Sequence, residues 1–211
     1  MTRPTLFAFA LLALLPGCSA LSALSGAATP LDNYDLAAPS AGVEARGRAV
    51  ARQLVVELPT APGALSTDRI LIRPNPLQAA YLPDAQWAEE TPVMVQTLMV
   101  RALEDTNAFR YVGRRPLGAS GDYALVTELT DFQAEAIEGD SASIRLRMTA
   151  RLVREEDAEI LSSRTFTATA LSPSTDTADL VQSFNQANQE VLGALTVWVL
   201  GTLNIATRTR G

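Results

Sequence analysis

One stretch of the sequence alternates apolar and polar residues strictly, and this pattern constrains the fold more than any other feature. The apolar members are Ile144, Leu146, Met148, Ala150 and Leu152. The residues between them are Arg145, Arg147, Thr149 and Arg151. Because successive side chains of a β-strand point to opposite faces, the pattern predicts a strand with one buried and one solvated face. Such strands are typical of antiparallel sheets that are covered on one face.

The segments around this strand predict its neighbours in the sheet. A long strand at 122–137 precedes it, and another at 160–170 follows it. Polar turns at 138–141 and 155–158 connect the three strands. Short polar connections join antiparallel neighbours, so we expect a meander of three long strands.

Shorter apolar runs earlier in the chain predict additional strands. They lie at 34–37, 53–58, 69–73, 79–82 and 111–112. Pro83 and Asp84 follow the fourth run. Proline cannot donate a hydrogen bond to a neighbouring strand, so we expect this run to be a short strand at an edge of the sheet.

Two segments have the apolar spacing of amphipathic helices. The first starts at Thr91, a capping hydroxyl, followed by Pro92 at the first helical position. The second runs from about Asp176 to Leu203, and its apolar C-terminal half is too short to cross a hydrocarbon core of ~30 Å. That half therefore packs in the core or against another subunit. These elements predict a two-layer α+β fold, an antiparallel sheet packed against two helices, with Trp87 in the core or on a contact surface.

The first eighteen residues have the organisation of a lipoprotein signal peptide. Arg3 is followed by an apolar run at 6–15, which is too short to span a membrane. The next four positions resemble a lipobox, in which the cysteine is acylated: Leu15, Pro16, Gly17 and Cys18. We predict a signal peptide at 1–17 and lipidation of Cys18. An ordinary secretory leader with a cysteine there by chance is the alternative.

The residues after the cysteine predict how the protein is anchored. Residues 18–30 are rich in Gly, Ser and Ala, which is typical of a flexible tether. Ser19 stands where an aspartate would retain a lipoprotein in the inner membrane, so the periplasmic leaflet of the outer membrane is favoured over the inner membrane. Two or more acyl chains anchor a protein stably. We expect one domain at 31–203 and a tail at 204–211.

The composition excludes several functional classes. The chain has no His and only one Cys, so the usual general base, zinc ligands and thiolate nucleophile are missing from the mature protein. We therefore predict no catalytic residue, no cofactor and no metal site. The net charge of −6 argues against nucleic acid as a partner, because binding to phosphates depends on cationic side chains.

Four short motifs occur in a characteristic order behind the lipobox. They are Tyr34-Asp35-Leu36, the run LVVELP at 54–59, Asp68-Arg69-Ile70 and Gln86-Trp87-Ala88-Glu89, the last of which we expect to open the first helix. Together they resemble the ABC-type transport auxiliary lipoprotein family, over residues 31–203. Members such as the paraquat-inducible protein C type accompany MCE-type (mammalian cell entry) intermembrane lipid transporters. The resemblance implies a non-enzymatic accessory protein whose partners are the MCE subunit, permease and ATPase of such a system, the ATPase indirectly.

The best candidate contact site is the polar side of the alternating strand. Arg145, Arg147 and Arg151, here called the arginine row, and Arg164 on the next strand could bind phospholipid headgroups or acidic partner residues. The alternative is a solvated sheet face without a binding role. A general envelope-assembly lipoprotein acting as a protein-protein interaction module is the second functional hypothesis, and a homo-oligomer is left open.

Overall fold

A computed structural model describes residues 30–38, 42–115, 121–137 and 139–209. The predicted signal peptide, Cys18 and most of the predicted tether lie outside these residues. In chain order the elements are β1 (Asp32–Tyr34), β2 (Val43–Ala45), β3 (Val50–Val56), β4 (Arg69–Asn75), β5 (Gln78–Trp87), α1 (Thr91–Glu104), β6 (Phe109–Gly113), β7 (Tyr123–Ala136), β8 (Ala142–Arg154), β9 (Glu159–Ser172), α2 (Thr177–Thr202) and β10 (Thr207–Thr209).

The three long strands form the predicted antiparallel meander. β8 pairs along its length with β7 on one side and with β9 on the other. The remaining edge of β7 is shared by two strands, because its beginning pairs with β3 and its end pairs with β4, both in parallel. The sheet continues from β3 to β6 at one end of β7, and from β4 to β5 and β1 at the other.

Both helices pack on one face of this sheet. α2 contacts β8 and β9, whereas α1 contacts β3, β6 and α2. The predicted two-layer α+β fold is therefore confirmed, with parallel pairs added to the antiparallel meander. Side-chain alternation specifies which face of a strand is buried and leaves its direction relative to a neighbour unspecified, so the pattern did not reveal these parallel pairs.

The prediction of a short edge strand at 79–82 is wrong. β5 extends to Trp87 and pairs with β4 on one side and with β1 on the other. Pro83 is tolerated because the β4–β5 register shifts between the pairs Leu71–Tyr81 and Arg69–Gln86. Proline has no N–H, and at a bulge the neighbouring strand does not require a hydrogen bond from this position.

The start of the first helix also differs from the prediction in detail. Glu90 is the N-cap residue and Thr91 is already helical, with its Oγ1 donating to the carbonyl oxygen of Thr67 at 3.1 Å. Gln86 and Trp87 belong to the end of β5 and do not open the helix. The residue types at 91 and 92 were enough to predict where the helix starts. The hydrogen-bond acceptor of the Thr91 hydroxyl is set by the tertiary structure.

An aromatic cluster forms the centre of the core. Trp87, Phe132 and Phe184 lie with ring centroids 5.3–5.9 Å apart, and the Trp87 side chain is 1% exposed, which places it in the core. Trp198 is half-buried and packs edge to face on Phe166. The core under the meander thus joins β5, β7 and α2.

The predicted tail forms a small sheet of its own. β10 pairs antiparallel with β2, and Arg208 Nη2 lies 2.6 Å from Glu44 Oε1 across that pair. The segment after α2 therefore returns to the N-terminal part of the domain. Within the described ranges, neither helix combines the length and apolar character that crossing a membrane requires.

Candidate functional site: the open sheet face and the hairpin groove

The face of β7, β8 and β9 that points away from the helices is here called the open face. The helix-facing side of β8 carries buried residues such as Leu146 and Met148, which line the interface with α1 and α2. The alternate residues form the open face, and they include the arginine row. On β9 the open face carries the exposed threonines Thr165, Thr167 and Thr169.

The arginine row faces acidic residues of β7. Arg145 Nε donates to Asp131 Oδ2 at 3.2 Å, and Arg151 Nη2 lies 4.0 Å from Glu128 Oε2. Arg147 is exposed, and its guanidinium makes no hydrogen bond or ion pair with the residues that the structure describes. Within the described ranges, the row therefore contains one close ion pair, one loose pair and one cation without a partner.

Arg164 is not part of this row. It lies opposite Ala150 in the β8–β9 register, and Ala150 is buried on the helix side of the sheet. Its guanidinium carbon lies 5.2 Å from the centre of the Phe166 ring, a cation–π contact. The structure thus brings together Arg145, Arg147 and Arg151 and places Arg164 on the opposite face.

A polar groove of about 450 Å³ lies at one end of the open face, beside the β4–β5 hairpin; it is here called the hairpin groove. Its charged and polar lining comprises Arg73, Asn75, Asp131, Gln133, Glu135 and Arg145. The register explains this grouping, because Arg73 lies opposite Glu135 and Gln133 lies opposite Arg145. The β4–β7 pairing ends at Arg73, just before Pro74, which has no N–H to continue it.

Several polar groups in the hairpin groove have unused hydrogen-bonding capacity. The Gln133 side chain is 3% exposed, and its Nε2 donates to Glu135 Oε1 at 2.8 Å, but its Oε1 has no partner. Arg145 uses only Nε in its bond to Asp131. Arg73 makes no side-chain hydrogen bond or ion pair within the described ranges. Buried polar atoms are nearly always hydrogen-bonded, so Gln133 Oε1 is an acceptor for which the described residues supply no donor.

A second polar cavity, of about 520 Å³, lies at the opposite end of β7 and is here called the turn pocket. Its lining includes Arg52, Asp122, Tyr123, Arg154 and Glu155. These groups are bonded within the protein: Arg52 donates to the Tyr123 hydroxyl, and Asp122 Oδ2 accepts from the Gln53 N–H at 2.7 Å. Arg154 lies between Asp157 and Glu159.

Arg115 closes the network beside the turn pocket. Its guanidinium forms ion pairs with Glu155 and Glu57, and these hydrogen bonds raise the pKa of Arg115 above its ordinary value, with the Glu155 bond as the largest cause. Glu155 Oε2 also accepts from the backbone N–H of Gly121 at 2.9 Å. The Glu155 carboxylate thus joins three segments of the chain.

Comparison with known proteins decides the family. A family model described as ABC-type transport auxiliary lipoprotein component matches residues 34–195. The chain belongs to this family. The ABC-type transport auxiliary lipoproteins are accessory components of transport systems, so the role of this protein is an accessory one in transport, at a membrane of the cell envelope.

Two solved structures are similar in fold to this ABC-type transport auxiliary lipoprotein. Protein XCC0632 from Xanthomonas campestris, of the DUF330 family, is 28% identical with a TM-score of 0.72, covering 82% of this chain and 96% of that one. An uncharacterized protein that is 16% identical has the same fold, with a TM-score of 0.60 over 81% of this chain and 99% of that one. The search of curated proteins found no match.

Sequence reasoning missed Arg73, Gln133 and Glu135 as members of a site. Gln133 and Glu135 are two residues apart on a predicted strand, so a shared face could have been inferred. Arg73 reaches them only through the parallel β4–β7 pair, which no local pattern encodes.

Proposed function

We propose that this protein is a non-enzymatic, lipid-anchored accessory subunit of an MCE-type intermembrane lipid transport system. Its anchor is the lipid on Cys18, and its place is the periplasmic leaflet of the outer membrane. The open face binds the transporter's MCE subunit, whereas the permease and the ATPase are more distant members of the assembly. Family membership supports the accessory role in transport, and the resemblance of the motifs supports the lipid-transport assignment.

The observation that carries this proposal is that Arg147 and Arg151 have few partners of opposite charge among the described residues. Both guanidinium groups project from the middle strand of the meander, where neighbours on two sides fix the backbone. Arg147 has no partner in the described part of the chain, and Arg151 has only a pair at 4.0 Å. A guanidinium forms paired hydrogen bonds with a carboxylate, so the two arginines provide a rigid contact for acidic residues of a partner.

The non-enzymatic role is supported by the side chains that the sequence offers. Acid/base and covalent catalysis ordinarily use His, a reactive thiol or a carboxylate pair held at a suitable separation. The sequence has no His, and its single cysteine is the predicted lipidation site. The protein thus contributes binding and position to the transport system rather than chemistry.

Removal of the charges of Arg147 and Arg151 tests this function. The double variant Arg147→Gln, Arg151→Gln should lose at least about 10-fold in copurification with the MCE subunit, as expected when interfacial charge contacts of a few kcal/mol are lost. The matched control is Arg110→Gln, Arg164→Gln, which removes two exposed charges outside the open face. Thermal melts of both variants should match the wild type, because surface substitutions change stability by only ~0.5 kcal/mol.

Salt provides an independent test of the same contact. At 1 M salt the Debye length falls to about 3 Å, so an exposed ionic contact should weaken in the wild type and change little in the double variant. Equal copurification of wild type and double variant, with equal melting, would reject the open face as the binding surface. Capture of envelope proteins without any transport subunit would favour the general envelope-assembly role.

A further inference from the structure

An apolar cleft lies on the other face of the sheet, at the same end as the hairpin groove. The cleft measures about 180 Å³ and is lined by Ile72, Leu82, Ala134, Ala142, Thr175 and Leu180. Arg73 and Ala136 line both cavities. A polar compartment and an apolar one therefore meet where the β4–β7 pairing ends, and this arrangement suits an amphiphilic molecule.

The charges of the hairpin groove specify the polar part of that molecule. Two guanidinium groups, of Arg73 and Arg145, stand beside two carboxylates, of Asp131 and Glu135. Formal charge in the groove is thus balanced, so a ligand with equal positive and negative charge leaves that balance intact. Arg73 and the terminal nitrogens of Arg145 can donate to an anion.

The acceptor in the groove specifies the cation. Gln133 Oε1 is buried and without a partner, and its amide orientation is fixed because Nε2 donates to the Glu135 carboxylate. An amide oxygen accepts hydrogen bonds, so a complementary cation must carry N–H groups. A primary ammonium can donate to Gln133 Oε1 and to Glu135, whereas a trimethylammonium has no hydrogen to donate.

We infer that the hairpin groove binds the headgroup of a phospholipid with a primary ammonium, of the phosphoethanolamine type, and that the apolar cleft receives part of an acyl chain. Arg73 and Arg145 bind the phosphate, and Gln133 with Glu135 binds the ammonium. This inference rests on the proposed lipid-transport function and adds to it a lipid class and a site. The site differs from the Arg147 and Arg151 contact, so the two claims can fail separately.

Titration of the full chain in phosphatidylcholine nanodiscs tests the lipid class. The probes are the water-soluble dihexanoyl forms of phosphatidylethanolamine, phosphatidylcholine and phosphatidylglycerol, with binding followed by calorimetry. We expect the ethanolamine lipid to bind at least 10-fold more tightly than either of the others, because a site built to hydrogen-bond an N–H group discriminates against analogues that lack it. Equal binding of the ethanolamine and choline lipids would overturn the inference.

Glycerophosphoethanolamine separates a lipid from a free headgroup. It carries the same polar groups without acyl chains, so we expect it to bind at least 10-fold more weakly than the dihexanoyl lipid. The exposed Thr175 lines only the cleft, and Thr175→Phe should weaken binding of the dihexanoyl lipid while leaving the weak binding of glycerophosphoethanolamine unchanged. Equal affinities for the two probes would overturn the role of the cleft.

Variants of the groove test the assigned residues. Arg73→Gln should lower affinity for the ethanolamine lipid at least 10-fold, and Gln133→Leu should abolish its preference over the choline lipid. Arg110→Gln is the matched control, since the exposed Arg110 does not line the groove, and it should bind lipid like the wild type. Unchanged binding by Arg73→Gln would overturn the site even if Gln133→Leu proved unfolded. Copurification of Arg73→Gln with the MCE subunit should match the wild type, which separates this inference from the proposed function.

Discussion

The two ends of β7 carry cavities of similar size and polarity, but their polar groups are used differently. In the turn pocket, Arg52, Arg154 and Glu155 all have partners within the protein. In the hairpin groove, Gln133 Oε1 and Arg73 have none among the residues that the structure describes. Paired groups hold the strands and turns together, whereas unpaired groups keep their hydrogen-bonding capacity for a ligand. This difference is the basis for the structural role that we give to the turn pocket and for the binding role that we propose for the hairpin groove.

The largest effect on stability should come from the core beneath the hairpin groove. Phe132 precedes Gln133 on β7 and points to the opposite face, where it contacts Trp87 and Phe184. Phe132→Ala should lower the free energy of unfolding by about 3–5 kcal/mol, as is typical of aromatic truncation in a core. Denaturant titration measures this loss. A loss below about 1 kcal/mol would mean that the groove face, and not the core face, holds this end of the sheet together.

A smaller loss is expected when the network at the turn pocket is broken. Glu155→Ala removes the partner of Arg115 and of the Gly121 N–H, and should cost about 1–2 kcal/mol because the network is partly solvent-screened. The adjacent Glu156 is exposed, and Glu156→Ala is the matched control with an expected change near zero. Equal denaturation midpoints for the two variants would remove the structural role assigned to the turn pocket.

The smallest change in stability should follow substitution in the hairpin groove itself. Gln133→Leu removes a buried acceptor that has no partner and one hydrogen bond to Glu135. Loss of the unpaired acceptor raises the stability, whereas loss of the hydrogen bond lowers it. The free energy of unfolding should therefore stay equal or rise by up to about 1 kcal/mol. A loss above about 1.5 kcal/mol in the same titration would show that Gln133 serves the fold, and the contrast between the two ends of β7 would fail.

The alternation of apolar and polar residues was enough to predict which faces of β8 and β9 are buried. It placed Arg145, Arg147 and Arg151 on one face because an even number of positions separates them along β8. The same rule, applied to β9, also assigns Arg164 to the face of Phe166, so its absence from the arginine row could have been predicted from the sequence.

The hairpin groove could not be predicted in the same way. It depends on a parallel pair between Arg73 and Glu135, which are far apart in the sequence. Cross-strand register between distant segments is set by the packing of the whole sheet and has no local signature. The lipidation of Cys18, which rests on a motif rather than on packing, stays a prediction.

Photo-crosslinking in cells is the measurement that tests the central claim most directly. A photoreactive amino acid is placed at position 147 on the open face and, as the control, at position 164 on the opposite face. The account predicts that the MCE subunit is crosslinked at position 147 and not at 164, because the proposed contacts Arg147 and Arg151 project from the open face. Crosslinking at position 164 alone, or at neither position in a strain that produces the whole transport system, would contradict it.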